Sequence, residues 1–327
     1  MTVINGIEID NIKYRENVIK DAIKNNDAIE RHLNVIVVIS NPCLYAKRYI
    51  LLKEFVARMQ LEEHIKLFIV ETVYNNQKFI VTEKGNINHL QLKTQTPIWH
   101  KENMINLGVK YLLPKDYKAF AWIDADVEFE NNSWALDTLK ILNGCKDIVQ
   151  LFSHCVDMDQ DETNLNLFNG FGYSYCKQKK YTTRGLDYWH PGYAWAITRK
   201  MYESIGGLYD KGILGSGDNI MALSFISHVK NMNNEGYNSD YNQSMLDFEK
   251  RVKHFRLGYV PGVIRHYYHG SKQNRKYTER WKILMKWQYT PDMLQYDTQG
   301  ILVPNSTLPQ GFKDDILNYF KERREDN

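Results

Sequence analysis

Apolar blocks alternate with mixed apolar and polar stretches along the first half of the chain. LNVIVVIS (33–40) and IKLFIVET (65–72) are nearly continuous apolar runs rich in β-branched residues, the pattern of strands buried on both faces. KFIVTE (78–83) predicts a shorter third strand, and KAFAWIDADVEF (118–129) the next. Between them the spacing turns helical. Ile12, Val18, Ile19, Ala22 and Ile23 mark an amphipathic helix within 11–31, and AKRYILLKEFVARMQ (46–60) reads as a helix after the Asn41-Pro42 break. A helix is predicted over 96–112, starting near Pro97, with Gly108 near its C-terminus. Strand-helix alternation of this kind implies βαβ units, hence an α/β fold with a mostly parallel sheet flanked by helices. Ligands of such sheets bind beyond the carboxyl ends of the strands.

The second half is less regular. SWALDTLKILNG (133–144) predicts a helix and KDIVQLFSH (146–154) a strand, while 156–189 reads as a long loop or hairpin insertion. WHPGYAWAITRKMYESIGGLYD (189–210) is a strand running into a helix, and GILGSGDNIMALSFISHV (212–229) a glycine-rich turn opening another. A polar linker (231–243), a helix (244–255), a strand around 258–270 and a basic helical end follow.

Composition narrows the class. The chain has 327 residues, 43% hydrophobic and 25% charged, ordinary for an enzyme with a sizeable core. A formal charge of +3 lacks the concentrated basic face expected for nucleic-acid binding. The four cysteines form no CxxC pair, the N-terminus lacks a signal-peptide pattern, and no apolar run reaches the roughly 18–20 residues of a membrane span. A cytoplasmic, reduced protein is the expectation. The 22 tyrosines and 7 tryptophans suit a sugar-binding protein, although an Asn-, Lys- and Ile-rich composition accounts for part of the excess.

Chemistry concentrates first at AFAWIDADVEFENNSWA (119–135), where a core strand ends in Asp124 and Asp126. Carboxylates at a buried strand end are costly unless paired or metal-bound. With side chains alternating along a strand, this spacing puts both on one face, where they can converge on Mn2+ or Mg2+ and a diphosphate. The alternative is that they cap the helix near Ser133. Asp218 is a second focus. Gly215 and Gly217 permit close approach of a substrate, so Asp218 is either a general base or an N-cap for the helix that follows.

AWIDADVEF resembles the Asp-x-Asp segment of GT-A-fold glycosyltransferases. HPGYAWAITRKMYESIGGLYD, GSGDNIM and VIRHYYHGSKQNRKY are similar, in order, to segments of inverting galactosyltransferases of that fold. The resemblance runs over about residues 33–280, with Gly-Ser-Gly-Asp standing where the family has Gly-Gly-Glu-Asp. It implies a single large Rossmann-type GT-A-like domain: a helical extension at 1–30, a catalytic domain at 31–280 (nucleotide part to about 130, acceptor part beyond) and a helical tail at 281–327. The implied activity is metal-dependent hexosyl transfer from a UDP-sugar to a hydroxyl on a glycan, glycoprotein or glycolipid.

On that resemblance Asp126 is a direct metal ligand, with Asp124 on the ribose, the donor sugar or a metal-bound water. The third ligand is His266 or His269, and both stay open. Lys272 and Arg275 lie where cations would stabilise a leaving diphosphate. Asn41, Pro42 and Glu71, at strand ends, are candidates for the nucleotide pocket, with Lys101, Glu102 and Asn106 for the ribose or its loop. Trp189, His190, Gly217 and Asp218 would bind the acceptor, with Asp218 as base, and Trp195 belongs to the core. Three rivals share the pattern: a retaining transferase, which needs no such base; a sugar nucleotidyltransferase, which normally carries a glycine-rich loop that SNPCLYAKRY lacks; and a noncatalytic binding module.

Overall fold

The computed structural model describes residues 3–4, 7–8, 17–161, 165–183, 188–232, 235–271, 273–276 and 279–326. Two short strands, β1 (Val3–Ile4) and β2 (Ile7–Glu8), pair antiparallel. Helix α1 (Val18–Asn25) is the described part of the amphipathic stretch; residues 11–16 lie outside it. β3 (Leu33–Ser40), α2 (Ala46–Met59), β4 (Ile65–Tyr74), β5 (His89–Thr94), α3 (Lys101–Leu112) and β6 (Ala119–Ile123) follow as βαβ units. The predicted strand at 78–83 is absent. Its amides at Ile80, Val81 and Thr82 instead wrap the carboxylate of Glu71, and HLQLKT takes the sheet edge as β5.

The stretch read as one strand over 118–129 divides after β6, and β7 (Val127–Phe129) joins another sheet. α4 (Trp134–Leu142) leads to β8 (Ile148–Gln150) and β9 (His154–Met158), again one predicted strand shared between two sheets. The stretch 156–189, read as a long loop or hairpin insertion, contains β10 (Leu165–Gly170), which forms a hairpin with β9, and α5 (Phe171–Cys176). Its amino-acid pattern is broken by polar residues because this hairpin belongs to a small sheet at the end of the main one. β11 (Trp189–His190), β12 (Ala194–Thr198), α6 (Arg199–Ile205), α7 (Gly217–Phe225), α8 (Ser239–Val252), β13 (Leu257–Tyr259) and β14 (Val263–His266) continue the chain. Residues 281–327 hold more than helix: between α9 (Glu279–Lys286) and α10 (Gln310–Glu322) lies a hairpin of β15 (Leu294–Tyr296) and β16 (Leu302–Pro304).

The main sheet has seven strands in the order β13-β8-β12-β6-β3-β4-β5, and β12 alone runs antiparallel to its neighbours. It is therefore mixed and mostly parallel, as the periodicity predicts. Both faces are buried, and the period-two alternation sorts side chains between two cores. Phe120 and Trp122 of β6 and Trp195 and Ile197 of β12 enter the core beneath α3, α7, α8 and α10. Ala119, Ala121, Ala194 and Ala196 face the other, with Leu52, Trp134 and Ile264. The second sheet, β11-β10-β9-β14-β7, stands at the carboxyl end of β6 and frames the site.

Candidate active site

Strand register assembles the centre. β14 pairs with β7 so that His266 lies opposite Val127, one residue past Asp126, and with β9 so that His266 lies opposite Asp157. Asp126 sits in the turn between β6 and β7, and the amide of Tyr267 donates to its carbonyl (2.8 Å). His269 follows β14 by three residues. The Asp126 carboxylate stands 2.7 Å from Nε2 of His269 and 3.6 Å from Nε2 of His266. One ligand atom from each of the three lies within 4.8 Å of the others.

This triad fits a divalent cation on two grounds. Oδ1 of Asp126 and Nε2 of His266 are buried with no hydrogen-bond partner, a costly state that a shared cation relieves. Behind His266, Nδ1–H donates to the buried Asp157 carboxylate at 2.5 Å, which leaves the Nε2 lone pair aimed at Asp126. One carboxylate with two imidazoles suits Mn2+ better than Mg2+, which prefers oxygen ligands. Burial alone would raise the Asp126 carboxyl, but His266 and His269 outweigh it and hold it well below the usual range. His266 moves up, because Asp126 and Asp157 more than offset its burial.

Asp124 does not join the triad. It forms an ion pair with Lys101 at the start of α3, and burial raises its carboxyl despite that partner. Lys101 is in turn held cationic: burial opposes its charge, but Asp124, Asp218 and Glu102 raise its pKa. Glu102, 2% exposed, is pushed by burial up to about 8, so it is protonated at neutral pH. Its carboxyl lies so close to Gly217 that a Cβ there would stand 2.4 Å from Oε1. Tyr193 occupies the left-handed region (φ 80°), unusual for a bulky residue, and is clasped between His190 (ring centroids 4.1 Å) and His266 (4.6 Å).

A cavity of about 490 Å³ opens above the triad. Lys101, Asp124, Asp126, His190, Asp218, His266, His269 and Arg275 all line it. Asp218 is in the first turn of α7 rather than at its N-cap, which is Ser216, and accepts from the Asn219 amide at 2.8 Å. Nη2 of Arg275, a residue 9% exposed, stands 2.9 Å from Nε2 of His269.

Other expected residues have different work. Glu71, 1% exposed, accepts the loop amides of Ile80, Val81 and Thr82 and the Thr82 hydroxyl, so it is a structural anchor away from the cavity. Asn41 makes two hydrogen bonds with the Tyr45 backbone ahead of α2, and the Pro42 carbonyl accepts from Gln77. Asn106 holds the turn at Leu208 and the Tyr202 hydroxyl. Trp189 is packed edge-on against Phe171 and Tyr181, 5% exposed, while its neighbours Tyr188 and His190 reach the cavity. Gly217 admits Glu102 rather than lining the space. Lys272 lies outside the described residues.

Several residues now at the site carried no sequence signal for it. Asp157 lay in the stretch read as a loop or hairpin insertion, and only the β9–β14 register brings it to His266. Arg48, Arg280, Trp281, Phe320 and Arg323 also line the cavity, four of them from the C-terminal 50 residues. Among the described residues, no helix is long and apolar enough to cross a membrane.

No protein-family model matches the chain, and no curated protein matches it. Among solved structures it is similar to a Drosophila β1,4-galactosyltransferase 7 mutant in complex with manganese, UDP-Gal and xylobiose, at 10% identity and a TM-score of 0.42 over 84% of this chain and 93% of that one. The catalytic domain of the same Drosophila enzyme with xylobiose gives 9% and 0.38 over the same shares. A mannosyltransferase from Pyrobaculum calidifontis with GDP-Man and Mn2+ gives 13% and 0.40 over 83% of this chain and 67% of that one. At these identities and scores, function is read from this chain's own residues.

Proposed function

We propose that this chain is a metal-dependent glycosyltransferase that moves a sugar from a nucleoside-diphosphate donor, by default a UDP-sugar, to a hydroxyl of a glycan acceptor, with inversion. The observation that supports it is the Asp126–His266–His269 triad, with its two orphaned buried atoms, at the base of a cavity that also holds Asp218. Asp126, His266 and His269 would hold Mn2+, which supplies Lewis acidity to a leaving diphosphate. Arg275, against His269, adds a fixed positive charge where that leaving group departs. Lys101, kept cationic by Asp124 and Asp218, orients Asp124 toward the donor's ribose or sugar hydroxyls.

Asp218 is the base in this reading. Its carboxylate takes the proton of the acceptor hydroxyl as that oxygen bonds to the anomeric carbon and the bond to the diphosphate breaks on the opposite side. Gly192 makes room for it, since a Cβ at that position would stand 2.8 Å from Oδ2 of Asp218. Aromatic side chains of Phe168, Tyr188 and Trp281 give the acceptor side of the cavity flat apolar surfaces for a sugar ring.

The test is a thermal-shift screen of UDP, GDP and their sugars with and without Mn2+, followed by the anomeric configuration of any product by NMR. Bound ligand raises the melting temperature by mass action. Absence of any metal-dependent shift would overturn the donor assignment, and a retained configuration would remove Asp218 from the role of base.

A further inference from the structure

The end of the chain, expected to be a tail beyond the catalytic domain, runs into the site. The Tyr45 hydroxyl donates to the Phe320 carbonyl (2.8 Å) and accepts from the Arg324 amide (3.1 Å). The Asp326 carboxylate accepts from the first two amides of α2, Ala46 (3.0 Å) and Lys47 (2.9 Å). Gly270, next to His269, lies against the same segment: a Cβ there would stand 2.9 Å from the Cα of Glu325. Contacts with Tyr45, the start of α2 and the His269 turn thus tie the end of the chain beside the cavity that Phe320 and Arg323 line.

Glu325 is the centre of this segment and is 1% exposed. Its carboxylate accepts from Nη2 of Arg48 (2.7 Å), from Nε of the same guanidinium, and from Nε of Arg323. Its Oε2 also stands 3.8 Å from Nδ1 of His269. Arg48, Arg323 and His269 all line the cavity, whereas Glu325 stands behind them. Arg323 is further fixed by the Tyr319 hydroxyl (3.2 Å) and by the Trp99 ring beneath it (5.3 Å). Burial alone would raise the Glu325 carboxyl, but the two guanidiniums hold it far below the usual range, so it is a fixed anion.

We propose that residues Phe320–Asp326 form one wall of the donor site, in which Arg48 and Arg323 grip the donor's phosphates and Glu325 is the positioning residue for both guanidiniums and for His269. The proposal rests on the glycosyltransferase reading above. The Nε–Nη2 edge of Arg48 is held by Glu325 and its Nη1 donates to the Ser40 carbonyl (2.6 Å), so a phosphate oxygen would meet the second N–H of each Nη on a guanidinium that loses little freedom when it binds. Glu325 stands on the Nδ1 side of His269 as Asp157 does of His266, at 3.8 Å rather than 2.5 Å, so it acts on that ring through charge rather than through a hydrogen bond.

Calorimetric titration of the 327-residue chain with MnCl2 alone, and with UDP or GDP at saturating Mn2+, tests this. Glu325→Gln is expected to weaken Mn2+ by about 10-fold, the low end for an outer-shell carboxylate, and the nucleotide by at least as much. Arg48→Gln, which leaves the Glu325–Arg323 pair and the His269 contact in place, is expected to weaken the nucleotide and leave Mn2+ unchanged. Asp314→Asn, an exposed α10 carboxylate that accepts from Gln310 and lies outside this wall, serves as the control and changes neither. A folded Glu325→Gln with a lower melting temperature but unchanged constants for both ligands would overturn the proposal. If Glu325→Gln does not fold, Arg48→Gln decides by itself: an unchanged nucleotide constant overturns it. Wild-type protein that binds neither Mn2+ nor nucleotide would overturn the glycosyltransferase reading along with it.

Discussion

As a metal site, Asp126, His266 and His269 depend on Asp157 to keep the His266 lone pair pointed inward. The pair is buried, with side chains 3% and 4% exposed, and the two atoms are in direct contact at 2.5 Å. In Asp157→Asn the charge is gone, and the amide can turn its NH2 toward Nδ1, which puts the ring proton on Nε2 and removes the ligand. Loss of such an outer-shell carboxylate typically costs about 10- to 100-fold in metal affinity, which is about 1.4 to 2.8 kcal/mol at 1.4 kcal/mol per decade. Titration calorimetry with MnCl2 on folded Asp157→Asn measures it directly, with Asp161→Asn on the same hairpin as an exposed control. An unchanged Mn2+ constant in the folded variant would refute the orienting role, and a fall in melting temperature alone would leave Asp157 only structural.

Glu71→Ala leaves three amides and a hydroxyl without their acceptor, so urea unfolding should show about 3 kcal/mol lost with the UDP constant unchanged; a weakened nucleotide at full stability would return Glu71 to the binding pocket. For Asp218→Asn, Mn2+ and UDP binding should persist while turnover is lost, and retained turnover would exclude it as base. Glu102 has its carboxyl raised from 4.5 to about 8, chiefly by burial. The folded state therefore holds a proton the unfolded chain releases, so stability present at low pH declines as pH rises through that window. Glu102→Gln removes this slope, and its melting temperature should gain on wild type between pH 5 and 8; parallel curves would contradict the buried, protonated state.

Much of the architecture was legible in the pattern of residues. Continuous β-branched runs predicted β3 and β4, and the apolar AFAWI predicted β6 with Asp124 and Asp126 at its carboxyl end. The elements that were misread share a cause. Residues 78–83 are apolar enough for a strand, but a buried carboxylate needs donors more than the edge needs a strand, and Glu71 claimed their amides. The strands at 118–129 and 146–154 each continue the apolar pattern across a change of sheet, which local periodicity does not register. Trp189 and Tyr188 show the limit at a single step: alternation assigns opposite faces to neighbours, not which face meets the cavity.

By itself, then, the chain's order of residues determined the parallel sheet, the acidic turn after its central strand and the histidines far downstream, because these follow from local periodicity and side-chain chemistry. Only the tertiary structure decided between the partners. It brought Asp126 together with both histidines, placed Asp124 with Lys101, set Asp157 behind His266 and brought Glu325 up to Arg48 across 277 positions. Contacts of that range depend on strand register and on where the chain's end packs, and neither leaves a local trace in the sequence.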